Sequence, residues 1–171
     1  MDIEMRPVND EDLSVLHRFA IEPGLIGPNW YGYRNVQTLN KRYAEDGFLN
    51  DNDSRVMVIA DAQTAGLTSW QSGTFGRYGS YWEIGIVLLP EFRGRGIGWR
   101  AQAMVSDYLF EHTPVQRIQA TTQADNVAGQ KSLVKAGFQV EGVIRSAEFR
   151  AGQWRDALMY SRLRADPVVA W

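Results

Sequence analysis

The hydrophobic pattern of the chain changes its period several times along the 171 residues. Some runs are rich in β-branched and aromatic residues and end at turn residues, whereas others repeat their apolar side chains about every 3.6 residues. The run Tyr81–Leu89 is nearly continuously apolar, which predicts a strand covered on both faces inside a sheet. Pro90 ends this run, and a glycine-rich turn follows before a helical pattern begins. This unit of strand, turn and helix is the most informative part of the pattern.

The other elements follow from the same two periods. Strands are predicted at Ile3–Val8, Arg55–Ala60, Ala65–Gln71, Tyr81–Leu89, Arg117–Gln123, Phe138–Arg150 and Trp154–Leu163. Helices are predicted around Leu13, Leu16 and Ala20, and over Val36–Glu45, Gly98–Glu111 and Asn126–Ala136. Strands and helices that alternate in this order predict a mixed α/β sheet. The chain has no internal repeat and no linker, so we expect a single domain over residues 1–171.

Composition removes several classes of chemistry. The chain has no cysteine and only two histidines, His17 and His112. Zinc–thiolate sites, iron–sulfur clusters and thiol nucleophiles are therefore excluded, and we expect no metal centre built on histidines. Acid–base chemistry in this protein must rely on carboxylates, hydroxyl groups or water.

Charge is distributed unevenly, although the formal net charge is only −2. Residues 1–53 carry five basic and ten acidic groups, whereas residues 54–171 carry thirteen basic and ten acidic groups. Unless this asymmetry is chance, it favours an anionic ligand on the second part and a cationic one near the first. The lack of an extended basic run argues against nucleic acid as a partner. The lack of a long apolar run argues against a membrane span and, with the acidic opening, favours a cytoplasmic protein.

The glycine-rich turn reads Arg93-Gly-Arg-Gly-Ile-Gly98. Glycines allow backbone N–H groups to close around phosphate oxygens, and the start of a helix adds roughly half a positive charge. Two known phosphate loops are excluded here. The P-loop requires a Gly-Lys-Ser/Thr ending that this turn lacks, and the dinucleotide fingerprint requires glycine where Trp99 stands. The turn therefore predicts a phosphate site of another kind.

The pattern Arg-x-x-Gly-x-Gly, formed by Arg93, Gly96 and Gly98, resembles the pyrophosphate loop of the GNAT acyltransferases, which use acyl-coenzyme A. A downstream series is similar to the GNAT branch that acetylates the amino termini of ribosomal proteins. That series comprises Asn126, Gly129, Lys135–Phe138, Glu141-Gly142, Arg145, Ala147–Phe149, Asp156 and Tyr160-Ser161. The resemblance spans most of residues 54–163. It implies the GNAT fold, in which a central mixed sheet splays at the cofactor cleft and carries helices on both faces.

The resemblance implies acetyl-CoA as the donor, with its pantetheine arm against the end of the apolar strand. Unpaired N–H and C=O groups at an open strand end can bond the amides of such an arm, and one strand N–H can polarise the thioester carbonyl. Asn126 matches the asparagine that reaches the pantetheine in the family, and it can also cap a helix. The implied cofactor-binding residues are Val87, Leu88, Leu89, Arg93, Gly94, Arg95, Gly96, Ile97, Gly98, Trp99, Asn126 and Gly129.

For catalysis, the resemblance implies Glu148 first and Glu83 second as the base that takes a proton from the amine. Ordinary roles stay open for both, as a solvated strand residue for Glu148 and as an arginine partner for Glu83. The general acid departs from the family, because Leu133 stands where many members have tyrosine and Gly129 where the ribosomal-protein branch has serine. Ser132 is a weak substitute. Water can also protonate the thiolate, since a thiol with a pKa of about 8.5 is a good leaving group.

Aromatic residues are the candidates for the acceptor side, although each could belong to the core instead. They are Trp30, Tyr31 and Tyr33 in a loop between breakers, Trp70 on a strand, and Tyr160, which matches the closing strand of the branch. The acidic residues near the loop, Glu22, Glu45 and Asp46, favour a cationic acceptor.

Taken together, these features predict an acetyl-CoA-dependent N-acetyltransferase. Its acceptor is a primary amine, either a peptide amino terminus, an amino acid or another small molecule. One alternative is the transfer of another acyl or aminoacyl group from coenzyme A or from a carrier-protein pantetheine arm. A second alternative is an acyl-CoA sensor without turnover. We expect a monomer or a homodimer.

Overall fold

The computed structural model describes residues 1–27 and 30–169. Its strands are β1 (Ile3–Pro7), β2 (Asp53–Ala60), β3 (Gln63–Phe75), β4 (Gly79–Leu88), β5 (Arg117–Gln123), β6 (Gln139–Arg150) and β7 (Gln153–Leu163). Its α-helices are α1 (Leu13–Ile21), α2 (Pro23–Ile26), α3 (Val36–Asp46), α4 (Ile97–His112) and α5 (Val127–Lys135). Every predicted strand and helix is present, β5 with the predicted bounds and the others with shifted ends. The short α2 was not predicted, because its proline suggested a break although proline is tolerated in a first helical turn.

One seven-stranded sheet carries the fold, in the order β1-β2-β3-β4-β5-β7-β6. Neighbouring strands are antiparallel except for β4 and β5, which are parallel and are connected through α4. Parallel strands need such a crossover, because a short turn cannot join them. The prediction of a mixed α/β sheet is therefore confirmed.

The two parallel strands pair over a short distance and then separate. Their register contains two pairs, Trp82 with Ile118 and Glu83 with Gln119. Beyond Glu83, β4 continues along β3 and β5 continues along β7. The sheet thus opens into a wedge, as the resemblance implied. The wedge leaves most of β4 only partly buried: Ile84 is its one buried residue, although Ile86, Val87 and Leu88 pack against an apolar cluster.

Helices cover both faces of the sheet. On the α4–α5 face, Leu109 and Leu133 pack with Val56 of β2. On the α1–α3 face, Met57 and Ile59 of β2 lie in a separate apolar cluster. Within residues 1–27 and 30–169, no helix has the length and apolar character needed to cross a bilayer. Because strand side chains alternate, neighbouring residues of one strand reach opposite faces of the sheet.

An ion pair links β6 to β5 across β7. The two carboxylate oxygens of Glu141 each accept from the Arg117 guanidinium at 2.6 Å, and one also accepts from Ser161 Oγ at 2.6 Å. These bonds lower the pKa of Glu141 to about 2, and the contribution from Arg117 is the largest. A carboxyl group whose pKa falls on folding stabilises the protein above its unfolded pKa and loses that contribution as the pH drops toward the folded value.

We expect Glu141→Gln to cost about 1 kcal/mol of stability at neutral pH, because water screens this partly exposed pair. The wild-type protein should lose this contribution as the pH falls from about 4.5 toward about 2, whereas the variant should lack that loss. Urea unfolding between pH 7 and pH 2.5 measures the difference. Glu4→Gln on β1 controls for the removal of an exposed strand carboxylate. Parallel pH curves for wild type and Glu141→Gln would contradict the assignment.

Candidate active site

A cavity of about 480 Å³ occupies the wedge and continues on both sides of the sheet. Phe19 of α1 lines it on one side, and Gln102 of α4 and Leu133 of α5 line it on the other. Glu83 and Ile84, which are consecutive on β4, both face it although their side chains point to opposite faces. The cavity therefore passes through the sheet where β4 and β5 part.

The predicted phosphate turn has an open backbone at the start of α4. Gly94 and Gly96 have φ angles of 72° and 81°, a left-handed conformation that residues with a Cβ adopt only at a cost. No atom lies within 4 Å of the place that a Cβ on Gly94 would occupy. Gly96 directly precedes Ile97, the first residue of α4, so the unbonded N–H groups of that helix end face the turn. This geometry fits a pyrophosphate group.

The two arginines of the turn have different environments. Arg93 donates from Nε to the Leu88 carbonyl at 3.0 Å and from Nη2 to the carbonyl of Leu25 in α2. Its guanidinium thus fastens the end of β4 to α2, and because both partners are neutral carbonyl groups its positive charge remains beside the turn. Arg95 is exposed and lies 3.9 Å from Asp61. Arg93 and Arg95 therefore both place positive charge beside the turn, with Arg95 near the Asp61 carboxylate.

Several predicted cofactor residues have side chains packed in the apolar interior, which leaves their backbone groups for a cofactor. Leu89 and Ile97 are buried in an apolar cluster, and Leu88 packs against it. Trp99 packs against the core of the α4–α5 face, and its ring lies under the guanidinium of Arg100. Among these neighbours on the strand and turn, Val87 lines the cavity.

Asn126 and Gly129 lie together at the start of α5 and both line the cavity. The Asn126 Oδ1 accepts from the Gly129 N–H at 3.0 Å and caps the helix, while its Nδ2 donates to Thr122 Oγ1 at 3.1 Å. A Cβ on Gly129 would lie 2.6 Å from both Asn126 Nδ2 and Thr122 Oγ1. The close approach of α5 to β5 therefore explains why glycine occupies this position.

Glu83 lies at the point where the wedge begins. Its carboxylate accepts from Thr121 Oγ1 at 3.1 Å and from Gln119 Nε2 at 3.4 Å, both on β5. Within residues 1–27 and 30–169 it has no ion pair, so the arginine partner considered for it is not found. A carboxylate that faces a cavity and is held by neutral donors is well suited to accept a proton.

Glu148 reaches the cavity through another residue. One carboxylate oxygen accepts from the Tyr31 hydroxyl, and the other lies 3.6 Å from Arg150 Nε. The Tyr31 oxygen accepts in turn from Gln123 Nε2 at 3.1 Å, and both Tyr31 and Gln123 line the cavity. The Glu148 side chain is only 17% exposed, so it is not a solvated strand residue. Burial and the bond to Glu148 raise the pKa of Tyr31, which keeps its hydroxyl protonated as a donor.

The aromatic candidates lie in three different environments: the cavity, the core and the surface. Tyr31 and Trp70 line the cavity, but Trp70 does so from the α4–α5 face. Tyr160 is 4% exposed and belongs to the core of that face, so the prediction that it contacts the acceptor is wrong. Tyr33 is 79% exposed and contacts Trp30 edge to face, with ring centroids 5.3 Å apart. Neither Trp30 nor Tyr33 lines the cavity.

The acidic residues expected to attract a cationic acceptor are paired outside the cavity. Their partners lie one helical turn away on the same helix: Glu22 pairs with Arg18, Glu45 with Lys41 and Asp46 with Arg42. The cavity instead contains Arg34, Arg55 and Asp53, none of which was among the sequence candidates. Strand alternation was the available signal, because Arg55 shares a face of β2 with the buried Met57.

A family model described as acetyltransferase (GNAT) domain matches residues 2–139 of the chain. Spermidine N(1)-acetyltransferase of Escherichia coli (strain K12) is 26% identical over 159 residues, which cover 91% of this chain and 83% of that protein. The uncharacterized N-acetyltransferase YoaA of Bacillus subtilis (strain 168) is 35% identical over 79 residues, covering 46% of this chain and 45% of YoaA.

Solved structures share the fold. A spermidine N-acetyltransferase from Vibrio cholerae, in complex with CoA and spermine, has a TM-score of 0.82 at 20% identity and 96% coverage of both chains. RimL, the ribosomal L7/L12 alpha-N-protein acetyltransferase, in complex with coenzyme A, has a TM-score of 0.79 at 18% identity, with 94% of this chain and 93% of that chain covered. The predicted fold is confirmed, and the chain belongs to the GNAT family of acetyl-CoA-dependent N-acetyltransferases.

Proposed function

We propose that this N-acetyltransferase transfers the acetyl group directly to a primary amine bound in the wedge, with Glu83 as the base. The observation that supports this most is the place of Glu83, at the last pair between β4 and β5 and on the cavity wall. Glu148, the first candidate from the sequence, contacts the cavity only through Tyr31. We therefore assign Glu148 the positioning of the Tyr31 hydroxyl and Glu83 the proton.

The residues around the wedge suit acetyl-CoA. The open turn at Gly94 and Gly96 suits its pyrophosphate. The edge of β4 up to Val87, which has left β5, suits an arm that contains amides. When bound, acetyl-CoA supplies an electrophilic thioester carbonyl and a thiolate leaving group. A β4 backbone N–H at this edge supplies the hydrogen bond that stabilises charge on the carbonyl oxygen.

Proton removal is the main task of the side chains. An α-amino group with a pKa near 7.7 is partly neutral at pH 7, whereas a lysine-type amine with a pKa near 10.4 costs about 4.6 kcal/mol to deprotonate. In our proposal Glu83 accepts this proton, while Thr121 and Gln119 hold the carboxylate in place. The neutral nitrogen would form the N–C bond as the C–S bond breaks, and its second proton would pass to solvent as the amide forms.

We assign protonation of the thiolate to water. Gly129 carries no side chain and Leu133 is apolar. The hydroxyl of Ser132 donates to Gln102 Oε1 at 2.7 Å, so it is already used in packing α5 against α4. A thiol with a pKa of about 8.5 leaves readily as a thiolate and takes its proton from solvent.

Binding of the donor is tested by Gly94→Val. A side chain here would fill the open space of the turn, and we expect the Kd of coenzyme A to rise at least tenfold, which corresponds to about 1.4 kcal/mol. Gly76→Val is the matched control, since Gly76 also has a positive φ of 60° and no neighbour within 4 Å, but lies in the turn between β3 and β4. Calorimetry measures both affinities. Equal affinities for the two variants would rule out this turn as the pyrophosphate site.

Two acceptor classes are compatible with the relatives. The Escherichia coli relative is named for spermidine, and RimL is named for an α-amino group of ribosomal protein L7/L12. We favour an α-amino acceptor, as in the ribosomal-protein branch, because Glu22, Glu45 and Asp46 are paired away from the cavity. In this proposal residues 1–171 act in the cytoplasm as a single domain, in a monomer or a homodimer.

A further inference from the structure

Arg55 lies on the α1–α3 face of the sheet, in the row of paired strand residues that leads to β4 at the wedge. The register pairs Arg55 of β2 with Ser69 of β3, and Ser69 with Gly85 of β4. All three residues line the cavity. Since neighbouring strands lie about 4.8 Å apart, the backbone of Arg55 is roughly 10 Å from that of Gly85, two residues beyond Glu83.

The charge of Arg55 is not balanced by a bonded carboxylate. Within residues 1–27 and 30–169, its guanidinium has no ion pair or hydrogen bond, and its contact is with the ring of Phe48 at 5.5 Å. The nearby Asp53 is bonded to Arg42 at 2.6 Å. Burial, followed by the charge of Arg42, lowers the pKa of Arg55. A bound anion would relieve this unfavourable environment.

A second cation lies at the same end of the cavity. Arg34, in the loop that also carries Tyr31, lines the cavity and forms no ion pair within the described part of the chain. On the same face, Glu83 is aligned through Gln71 of β3 with Asp53 of β2, and both carboxylates line the cavity. Since Arg42 already binds Asp53, the cavity presents the Glu83 carboxylate and two guanidinium groups, of Arg34 and Arg55, that form no ion pair among the residues that the structure describes.

We propose that Arg55, assisted by Arg34, binds a carboxylate of the acceptor, and that the acceptor is therefore the amino terminus of an acidic peptide. An extended chain advances about 3.4 Å per residue, so a separation of roughly 10 Å places the acidic side chain at the second or third residue. Guanidinium groups bind carboxylates through two parallel hydrogen bonds, which gives both affinity and orientation. This inference rests on the proposed direct transfer to an amine.

The test compares matched acceptors with the full chain. Ala-Ala-Glu-amide and Ala-Ala-Gln-amide differ in one carboxylate, and spermidine supplies a cationic acceptor. We expect kcat/KM for the Glu peptide to exceed that for the Gln peptide by about tenfold. Calorimetry with the coenzyme A-bound protein should show the same preference in Kd, without requiring turnover.

Substitutions of Arg55 then test whether its side chain causes the preference for the Glu peptide over the Gln peptide. Arg55→Gln should abolish it with the Kd of coenzyme A unchanged, and Arg55→Lys should retain part of it and show that the position tolerates substitution. Lys41→Gln is the control, because it removes a positive charge from α3 outside the cavity and should leave the preference intact.

The outcomes separate the inference from the proposed function. Binding preference without acetylation would support the carboxylate site and refute the transfer function. Equal binding of the two peptides, tighter binding of spermidine, or a preference that survives Arg55→Gln would overturn the carboxylate site. If 6-aminohexanoate bound as tightly as the Glu peptide, an amine with a distant carboxylate would suffice, and the inference that the acceptor is a peptide would be overturned.

Discussion

Replacing Glu83 by glutamine should lower kcat about 100-fold at pH 7, because the variant loses the group that takes the amine proton. The amide retains the size of the carboxylate, and its oxygen can still accept a hydrogen bond from one of the two β5 donors, Thr121 or Gln119. We therefore expect the Kd of coenzyme A to stay unchanged. Steady-state kinetics with saturating acetyl-CoA and a primary amine measure the effect.

The pH profile distinguishes a lost base from a damaged site. As the pH rises toward the pKa of the acceptor, more of the amine is neutral in solution, so the deficit of Glu83→Gln should shrink. Glu141→Gln is the matched control, since it makes the same chemical change on β6 outside the cavity and should leave kcat intact. A loss of kcat that is constant at all pH values would indicate that the substitution misplaces the substrates instead of removing a base. Full activity of Glu83→Gln, together with loss in Glu148→Gln, would transfer the role to Glu148.

Gly66→Ala should destabilise the protein by about 3 kcal/mol or more, the largest loss of stability that we predict. Gly66 is buried on β3 opposite Leu88. A Cβ there would collide with the Val87 carbonyl oxygen and lie 2.8 Å from the Leu88 Cα. Because both obstacles are backbone, β3 and β4 would have to separate along the strand that bounds the wedge. Urea unfolding measures the loss, and weaker binding of coenzyme A should accompany it.

Gly142→Ala provides the comparison for this variant. Gly142 also lies on a strand, but no atom lies within 4 Å of its Cβ position and its φ is not positive. We expect a change of stability within about 0.5 kcal/mol, as for other surface substitutions. Similar unfolding midpoints for the two alanine variants would show that the β3–β4 approach at Gly66 is not tight.

The sheet and the phosphate turn could be predicted because their signals are local. The apolar run that becomes β4, the glycines after it and the helical period of α4 are contiguous, so periodicity and turn chemistry identify them. Even the position of the wedge followed from a local motif, through the family it resembles. The positive φ angles of Gly94 and Gly96 agree with the expectation that this turn requires glycine.

Side-chain partners could not be predicted in the same way, because they depend on contacts between distant segments. Tyr31 and Glu148 are 117 positions apart and meet only because a loop after α2 lies over β6. Arg93 is identified by its motif, but its bonds to the carbonyl groups of Leu88 and Leu25 join segments that are distant in the sequence. For Arg55, the alternation of strand side chains predicts the face of β2 on which it lies. Its lack of a bonded carboxylate among the described residues depends instead on the pairing of Asp53 with Arg42 of α3.

The separation of β4 from β5 has a kinetic consequence. Since the cavity at this gap has openings on both sides of the sheet, we expect donor and acceptor to enter from opposite faces and to meet at the gap. Neither has to depart before the other arrives, so a ternary complex is accessible and no acetylated form of the enzyme is needed. Initial velocities measured against both substrates should give intersecting lines, as in a sequential mechanism.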